Sequence, residues 1–269
     1  MKTINLNELS FRLETQNDHY AVEEMTRDAF WNFWEPEKTV CDEHLLVHRL
    51  RSADSLVPEL NTVAELDGKL AGHIIYTKAY IIDDKEQKHE VLTFGPLTVT
   101  PALQGLGIGK KLMMYSFSRA RDLGYRAVLI FGHPNYYPKV GFRPAAEFGI
   151  TNLDGSSFDA FMAYPLYDGA LDGIRGKYII DDAYMGLTQS DALEFDKKFP
   201  QKEPYKKRPI SILLEQLSAG PREAMEKTNI KSLEMMTEKS AREVQMLPGM
   251  DKQSLDTIRR VLREYGVKW

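Results

Sequence analysis

The chain has a single cysteine, Cys41, among its 269 residues. An internal disulfide framework is therefore excluded, and a reducing compartment is expected. Neither that cysteine nor the six histidines form a cluster with metal-ligand spacing, so no metal is expected. No apolar run approaches the length of a membrane span, and the opening "MKTINLNELS" lacks the apolar core of a signal peptide. The expected location is the cytoplasm, away from any membrane. Net basic charge is also missing: 35 Lys and Arg against 39 Asp and Glu give a formal charge of -4. Any nucleic-acid contact would have to be local. What remains, 43% apolar and 28% charged residues, is the composition of a globular chain with room for one large domain and a small one.

The first elements follow from periodicity. "FRLE" reads as a strand and "DHYAVEEMTRDAFWNFW" as a helix, capped by Asp18 with Ala21, Met25 and Ala29 along one face. "CDEHLLVHRLRSA" gives a second helix. In "TVAELDGKLAGHIIYTKAYII" the Asp67-Gly68 pair marks a hairpin between two strands. The next strand, "VLTFGPLTV", carries Gly95-Pro96 in its middle. Proline cannot donate to a ladder, so this strand is an edge or bulges and parts from its neighbour there. Parting leaves main-chain groups at Leu97 and Val99 available to an extended ligand with an amide-rich arm.

The chain then turns through "QGLGIGKKL", with Gly105, Gly107 and Gly109 at every second position. The dinucleotide fingerprint fails because Lys110 stands where its last glycine belongs, and the P-loop fails because Gln104 and Lys111 occupy its diagnostic places. Two readings survive: a plain surface turn, or a loop-to-helix turn whose N–H groups hold a pyrophosphate with help from Lys110 and Lys111. A helix follows on Ile108, Leu112, Tyr115 and Leu123, with small Ser116 and Ala120 and Gly124 to close it. "AVLIFG" is a buried strand. Strands alternating with helices predict an α/β sandwich with a mixed sheet.

Taken together, these residues resemble the GNAT superfamily of acetyl-CoA-dependent N-acetyltransferases. Gln104, Gly107 and Gly109 match its Gln/Arg-x-x-Gly-x-Gly/Ala motif, "GPLTVTP" looks like its bulged fourth strand, and Tyr137, Gly141 and Phe142 match its Tyr-x-x-x-Gly-Phe stretch. "CDEHLLVHRLR" and "GHPNYYPKVGF" are similar to one bacterial branch. The resemblance covers roughly residues 10 to 165 and implies a bulged, splayed sheet flanked by helices. It implies acetyl-CoA as cosubstrate, with its arm along Leu97, Thr98 and Val99. The pyrophosphate would lie on main-chain groups of Gln104, Gly105, Leu106, Gly107, Ile108, Gly109 and Lys110. By the same resemblance Tyr137 is the acid that protonates the leaving thiolate, with Tyr136 beside it as a substitute, and the N–H of Val99 or Leu97 polarises the thioester. Many members carry a glutamate six residues before the position of Val99, but here Thr93 stands there. Glu90, His89, His73 or a water relay are the remaining candidates for the base, Glu90 being the one named. Trp31, Phe33, Trp34, Glu43 and His44 fall where the family walls its acceptor pocket. Cys41 has no His-Asn or His-Asp pattern around it in sequence and is read as structural.

Residues 1–196 are thus expected to form the acetyltransferase domain. "KKFPQKEPYKKRP", with six basic residues, one acidic and three prolines, gives a linker over 197–209. Residues 210–269 read as helical: Leu255, Ile258, Leu262 and Tyr265 make a stripe, and Ser240 and Ser254 are candidate caps. This stretch resembles the carboxy-terminal domain of the bacterial RNA polymerase alpha subunit, a helix-hairpin-helix-type module. Where that family contacts DNA, this chain has Gly220, Glu223, Asp251 and Gln253, which remove donors or add repulsion near phosphate. Protein contact is the expectation for the tail. The leading function is acetyl transfer to a small-molecule or protein amine. The alternative is an acyl-CoA-sensing regulator whose tail meets transcription machinery or nucleic acid.

Overall fold

The computed structural model describes residues 8–31, 40–202, 208–265, 267 and 269. They fall into two compact units, one of residues 8–31 and 40–201, the other from residue 202 onward. The first contains β1 (Ser10–Leu13), α1 (His19–Phe30), α2 (Glu43–Leu50), β2 (Thr62–Leu66), β3 (Lys69–Ile82), β4 (Lys88–Val99), α3 (Ile108–Asp122) and β5 (Ala127–Phe131). Then come β6 (Arg143–Pro144), β7 (Ile150–Thr151), β8 (Phe161–Pro165), β9 (Gly176–Ile179) and α4 (Gln189–Asp196). The strands form one mixed sheet in the order β1-β2-β3-β4-β5-β8-β6, with β9 beside β3 and β7 beside β9.

Side-chain alternation divides the sheet into two faces. Ile74, Tyr76, Leu92, Phe94, Val128 and Ile130 pack on α3 through Ile108, Leu112, Met113 and Phe117. The α3 stripe is thus completed by Met113 and Phe117, whereas Leu123 lies past the helix end and is exposed. On the other face, Val63 packs with Val22 of α1 and Val47 of α2, and Ala79, Val91, Leu129, Phe161 and Tyr178 make a second core. The Asp67-Gly68 hairpin is present, with both residues at positive φ as a type I′ turn requires. Asp18 holds the N-cap position of α1 as expected, but its side chain makes no cap bond there. A 3-10 turn, Gln16–Asp18, precedes the helix, so Asp18 instead closes a capping box with Thr15 and takes two hydrogen bonds from Arg12, at 2.7 and 2.8 Å.

Polar side chains are also buried on the α1–α2 face. Arg51 donates to Glu14 at 2.6 and 3.1 Å and also to Glu23. Asn61 donates to Glu14 at 2.6 Å, which leaves its carbonyl to accept from His73 Nε2 at 2.7 Å. Burial raises the Glu14 carboxyl, but Arg51 and His73 outweigh it and hold it below the usual range. Arg27, itself buried, makes a bidentate contact with Asp196 of α4 at 2.5 and 2.8 Å. Behind α4, Phe195 and Phe199 pack with Val40 and Leu45. That packing moves the domain boundary: Phe199 belongs to the first unit, which runs to residue 201 instead of ending at 196.

The second unit holds α5 (Ser211–Leu214), α6 (Ala219–Glu226), α7 (Ala241–Gln245) and α8 (Lys252–Glu264). Its core gathers Leu213, Met225, Leu233, Val244, Leu255, Ile258 and Leu262. Arg208 and Pro209 belong here, since Arg208 bonds Glu234 and Pro209 bridges to Ser232. The linker reading over 197–209 therefore fails at both ends. Ser240 caps α7 as expected. Ser254 does not cap α8: Asp251 does, accepting from Ser254 N at 2.8 Å. Tyr265 leaves the buried stripe and lies beside Arg208 at the surface. Among the described residues no helix is long and apolar enough to cross a membrane.

Two stability effects are expected. His73 is wholly buried, and loss of hydration pushes its pKa down to about 4. Its folded pKa is below the unfolded value of about 6.5, so its contribution is complete above that pH and is lost as pH falls toward 4, up to about 3 kcal/mol. Urea titrations at pH 7 and pH 4.5 should show that fall; equal midpoints would contradict it. Arg27→Met strands Asp196 beside a buried His44 and should cost about 3 kcal/mol, read as a lowered Tm.

Candidate active site

β4 and β5 run parallel, and their rung among the described residues is Leu92 opposite Val128. On its other side β4 pairs with β3, where Ile74 faces Leu97 and Tyr76 faces Phe94. Gly95 and Pro96 together stand opposite Ile75, a two-against-one bulge. The bulged, parting strand expected from the Gly95-Pro96 pair is therefore present. Past it, Thr100 N–H donates to Ala71 O of β3 at 3.0 Å. Main-chain groups alternate sides along a strand, so those of Leu97 and Val99 point away from β3 into the gap between β4 and β5. Val99 O accepts from Gln104 Nε2 at 3.3 Å.

The glycine turn follows directly. Gly105 and Gly107 have φ of 80° and 86°, a region other residues avoid, and Gly107 is the N-cap of α3. The first N–H groups of α3 have no partner within the helix, and Lys110 and Lys111 are exposed beside them. A groove of about 440 Å³ lined by Leu9, Phe11, Gly107, Lys110, Lys111 and Met114 adjoins this end. A methyl on Gly109 would stand 3.4 Å from Val99 Cγ2, 3.6 Å from the Tyr136 hydroxyl and 3.7 Å from Leu97 Cδ2. The strand end, the first turn of the helix and Tyr136 thus meet at one place. Peptide groups lining a slot, next to a positive helix end and two lysines, suit an amide-bearing arm that ends in a pyrophosphate.

Tyr137 opens a 3-10 turn, Tyr137–Val140, on the same side of the gap. Its ring packs 6.1 Å from Phe94 and 5.3 Å from Phe142. Gly132 makes this possible, because a methyl there would fall 2.4 Å from the ring carbons Cδ2 and Cε2. Sequence reading missed Gly132; its only signal was the glycine that ends "AVLIFG". Burial, with Tyr136 adding to it, pushes the Tyr137 hydroxyl well above its ordinary pKa. It therefore stays protonated at neutral pH and can act as a donor. Tyr136 is more exposed, and burial also raises it.

The base candidates separate clearly. Glu90 lies at the far end of β4, nine residues before Val99, roughly 25–30 Å along the strand. It pairs with Lys78 at 3.5 Å, so its assignment as base is corrected. His89 lies at that same end, 3.0 Å from Asp83. His73 does face Thr98 across the β3–β4 ladder, but it is buried and held neutral. Thr93, at the glutamate position, is buried.

The expected acceptor-wall residues are only partly brought together. Trp31 is half-buried with the Arg27 guanidinium 4.5 Å above its ring, and Glu43 is half-buried in the first turn of α2. His44 is fully buried and walls no open pocket. Its Nδ1 lies 3.6 Å from Cys41 Sγ and its Nε2 3.3 Å from Asp196. A Cys-His-Asp array absent from the local sequence therefore exists in space, completed by a residue 155 positions downstream of Cys41. It does not make a nucleophile: burial, then Glu43 and Asp196, push the thiol far up. Phe33 and Trp34 lie outside the described residues. Among the described residues no group of three or more His, Cys, Asp or Glu is placed to hold a metal.

Residues 24–142 match the Acetyltransferase (GNAT) family. The chain is 29% identical over 143 residues to the uncharacterized N-acetyltransferase YjhQ of Escherichia coli K12, covering 53% of this chain and 74% of that protein. It is also 29% identical over 135 residues to YhbS of the same strain, covering 50% and 78%. Among solved structures, the E. coli YhbS N-acetyltransferase in complex with CoA superposes with a TM-score of 0.57 at 23% identity, over 67% of this chain and 94% of that one. A GNAT family acetyltransferase from Brucella melitensis in complex with acetyl-CoA gives 0.51 at 25% identity, over 65% and 97%. The bulged strand, the glycine turn and Tyr137 all lie inside the span, residues 24–142, that is similar to the acetyltransferase (GNAT) family.

Proposed function

We propose that the protein transfers an acetyl group from acetyl-CoA to a primary amine by direct attack within a ternary complex. The observation that carries this reading is the slot past the β4 bulge, where peptide groups of Leu97 and Val99 that face away from β3 lead into the glycine turn at the start of α3. CoA and acetyl-CoA in the two superposed relatives support the same cosubstrate. Acetyl-CoA supplies the thioester whose acyl carbon is transferred.

The chain's own groups have the following roles. Leu97 and Val99 hold the arm, and an N–H of one of them polarises the thioester carbonyl. The glycine-turn N–H groups from Gly105 to Lys110, with Lys110 and Lys111, bind the pyrophosphate; the Gln104 N–H, included in the expectation, is already taken by Pro101 O at 3.3 Å. The amine attacks as the neutral base: its nitrogen bonds to the acyl carbon as the C–S bond breaks, and the proton then carried by that nitrogen passes to water, since Glu90 is out of reach and Thr93 is closed over. The Tyr137 hydroxyl gives its proton to the departing sulfur. Water then restores the tyrosine proton.

We infer a protein-contact role for the second unit. Its likeness to the polymerase alpha module carries no inherited DNA contact: Asp251 is occupied in capping α8 and Glu223 pairs with Lys227 at 2.7 Å. Both put carboxylates where a phosphate backbone would need cations.

Tyr137→Phe should lower kcat by about 10- to 100-fold while calorimetric affinity for acetyl-CoA is retained; unchanged turnover removes Tyr137 from the mechanism. Gly132→Ala forces the ring to move and should cost about 1–3 kcal/mol of stability, with kcat falling more than cosubstrate affinity. Labelled acetyl-CoA incubated with bacterial extract, followed by mass spectrometry, tests the reaction itself. A labelled amine identifies the acceptor, whereas no label from protein shown to bind acetyl-CoA defeats the transfer reading.

A further inference from the structure

Two large aromatic side chains remain open to solvent beside the proposed reaction centre. Phe131, the last residue of β5, is 46% exposed, and Phe158, in the loop before β8, is 44% exposed. Their rings stack with centroids 5.7 Å apart and only 14° between planes. The pair has a firm base, since Phe131 also packs 5.0 Å from Phe161 and 5.9 Å from Tyr178. Gly132 N–H donates to Ala160 O at 2.8 Å, which ties the Phe158 loop to the end of β5.

Their position in the sheet gives the pair its meaning. Ala127 and Leu129 of β5 pack in the core opposite α3, and alternation puts Phe131 on that same face. The next residue, Gly132, carries the Tyr137 ring on the α3 face. Platform and acid thus stand one residue apart, on opposite faces of the strand that borders the split. The glycine turn, α3 and Tyr136 flank the split on the α3 side, which the cosubstrate takes. An amine reaching the same carbon has the other face for its approach, and there it meets Phe131 and Phe158. The ring cluster of Phe131, Phe158, Phe161 and Tyr178 carries no formal charge. Two stacked rings, each open to solvent, offer an outer face on which an arene can continue the stack better than a flexible polycation can.

We propose that Phe131 and Phe158 form the specificity platform for the acceptor, and that the acceptor is a primary amine carried on an aromatic ring system. The platform rests on the acetyl-transfer reading for its purpose but can be tested apart from it. Acetylation of phenethylamine, tryptamine, spermidine and lysine is measured with the full-length wild type, Phe158→Ala, Phe158→Leu and Phe131→Ala. In parallel, calorimetry follows tryptamine binding to each protein saturated with CoA. The aryl amines should be the better substrates. Phe158→Ala should raise their KM about 10-fold with kcat nearly unchanged, Phe158→Leu should recover only part of the loss, and the KM for spermidine should not move. Phe158 lies in a loop, so its variants should keep the wild-type Tm even if Phe131→Ala is less stable. Preference for spermidine or lysine, or an aryl KM indifferent to Phe158→Ala, overturns the platform and leaves acetyl transfer standing. Tryptamine that binds, loses affinity in Phe158→Ala and is never acetylated supports the platform and overturns the transfer. Tryptamine neither bound nor acetylated overturns the platform.

Discussion

Past Leu92, β4 and β5 give up the main-chain hydrogen bonds that strands in the middle of a sheet ordinarily keep. Each unpaired peptide group away from water costs on the order of 1–3 kcal/mol, so a split of this kind needs a cause and a use. The cause is the bulge at Gly95 and Pro96, which gives β4 one residue more than β3 requires and turns its end aside. The use follows from alternation. The groups released are donors and acceptors in a row, facing one slot, with the positive end of α3 at its mouth. The glycine turn, Tyr136, Tyr137 and Gly132 all gather around that slot.

The surrounding structure holds the split open. On one face, α3 presses Ile108, Leu112 and Phe117 into the sheet. On the other, α1 and α2 are fastened by charge as well as by apolar contact: Arg51 sits between Glu14 and Glu23, and Arg27 reaches α4 through Asp196. Buried ion pairs of this kind are weak sources of stability once desolvation is counted, but costly to break from one side. Thr26 and Thr98 add a direct hydroxyl contact of 3.0 Å between α1 and the strand that bulges.

What could be read from the sequence was local chemistry. Proline lacks an N–H, so the bulge was legible at Gly95-Pro96; Asp67-Gly68 announced its turn; and the alternate glycines announced a close approach. What could not be read depended on contacts far apart in the chain. β9 is only four residues long, too short to show a period, and is a strand because it finds the open edge of β3 at Tyr80–Ile82. Asp196 completes the surroundings of Cys41 and His44 from the far side of the domain. Asp251 took the cap assigned to Ser254 because α8 begins three residues before the expected place, and the Asp18 side chain turned back to Thr15 because a 3-10 turn precedes α1. The error over Glu90 was avoidable, since about 3.3 Å per residue already put it at the wrong end of its strand.

The holding groups at the end of β4 are peptide groups, and that bears on how such a site can change. A peptide N–H is the same whichever side chain accompanies it. Leu97 and Val99 can therefore be exchanged for other residues that keep the strand without deleting a single donor to the slot. The parts exposed to substitution are the shape-makers, Gly95, Pro96, Gly107 and Gly132, and the aromatic surface on the opposite face. Cosubstrate recognition is thereby insulated from drift in side chains while acceptor choice remains open to it, so one scaffold can keep its donor and exchange its clientele.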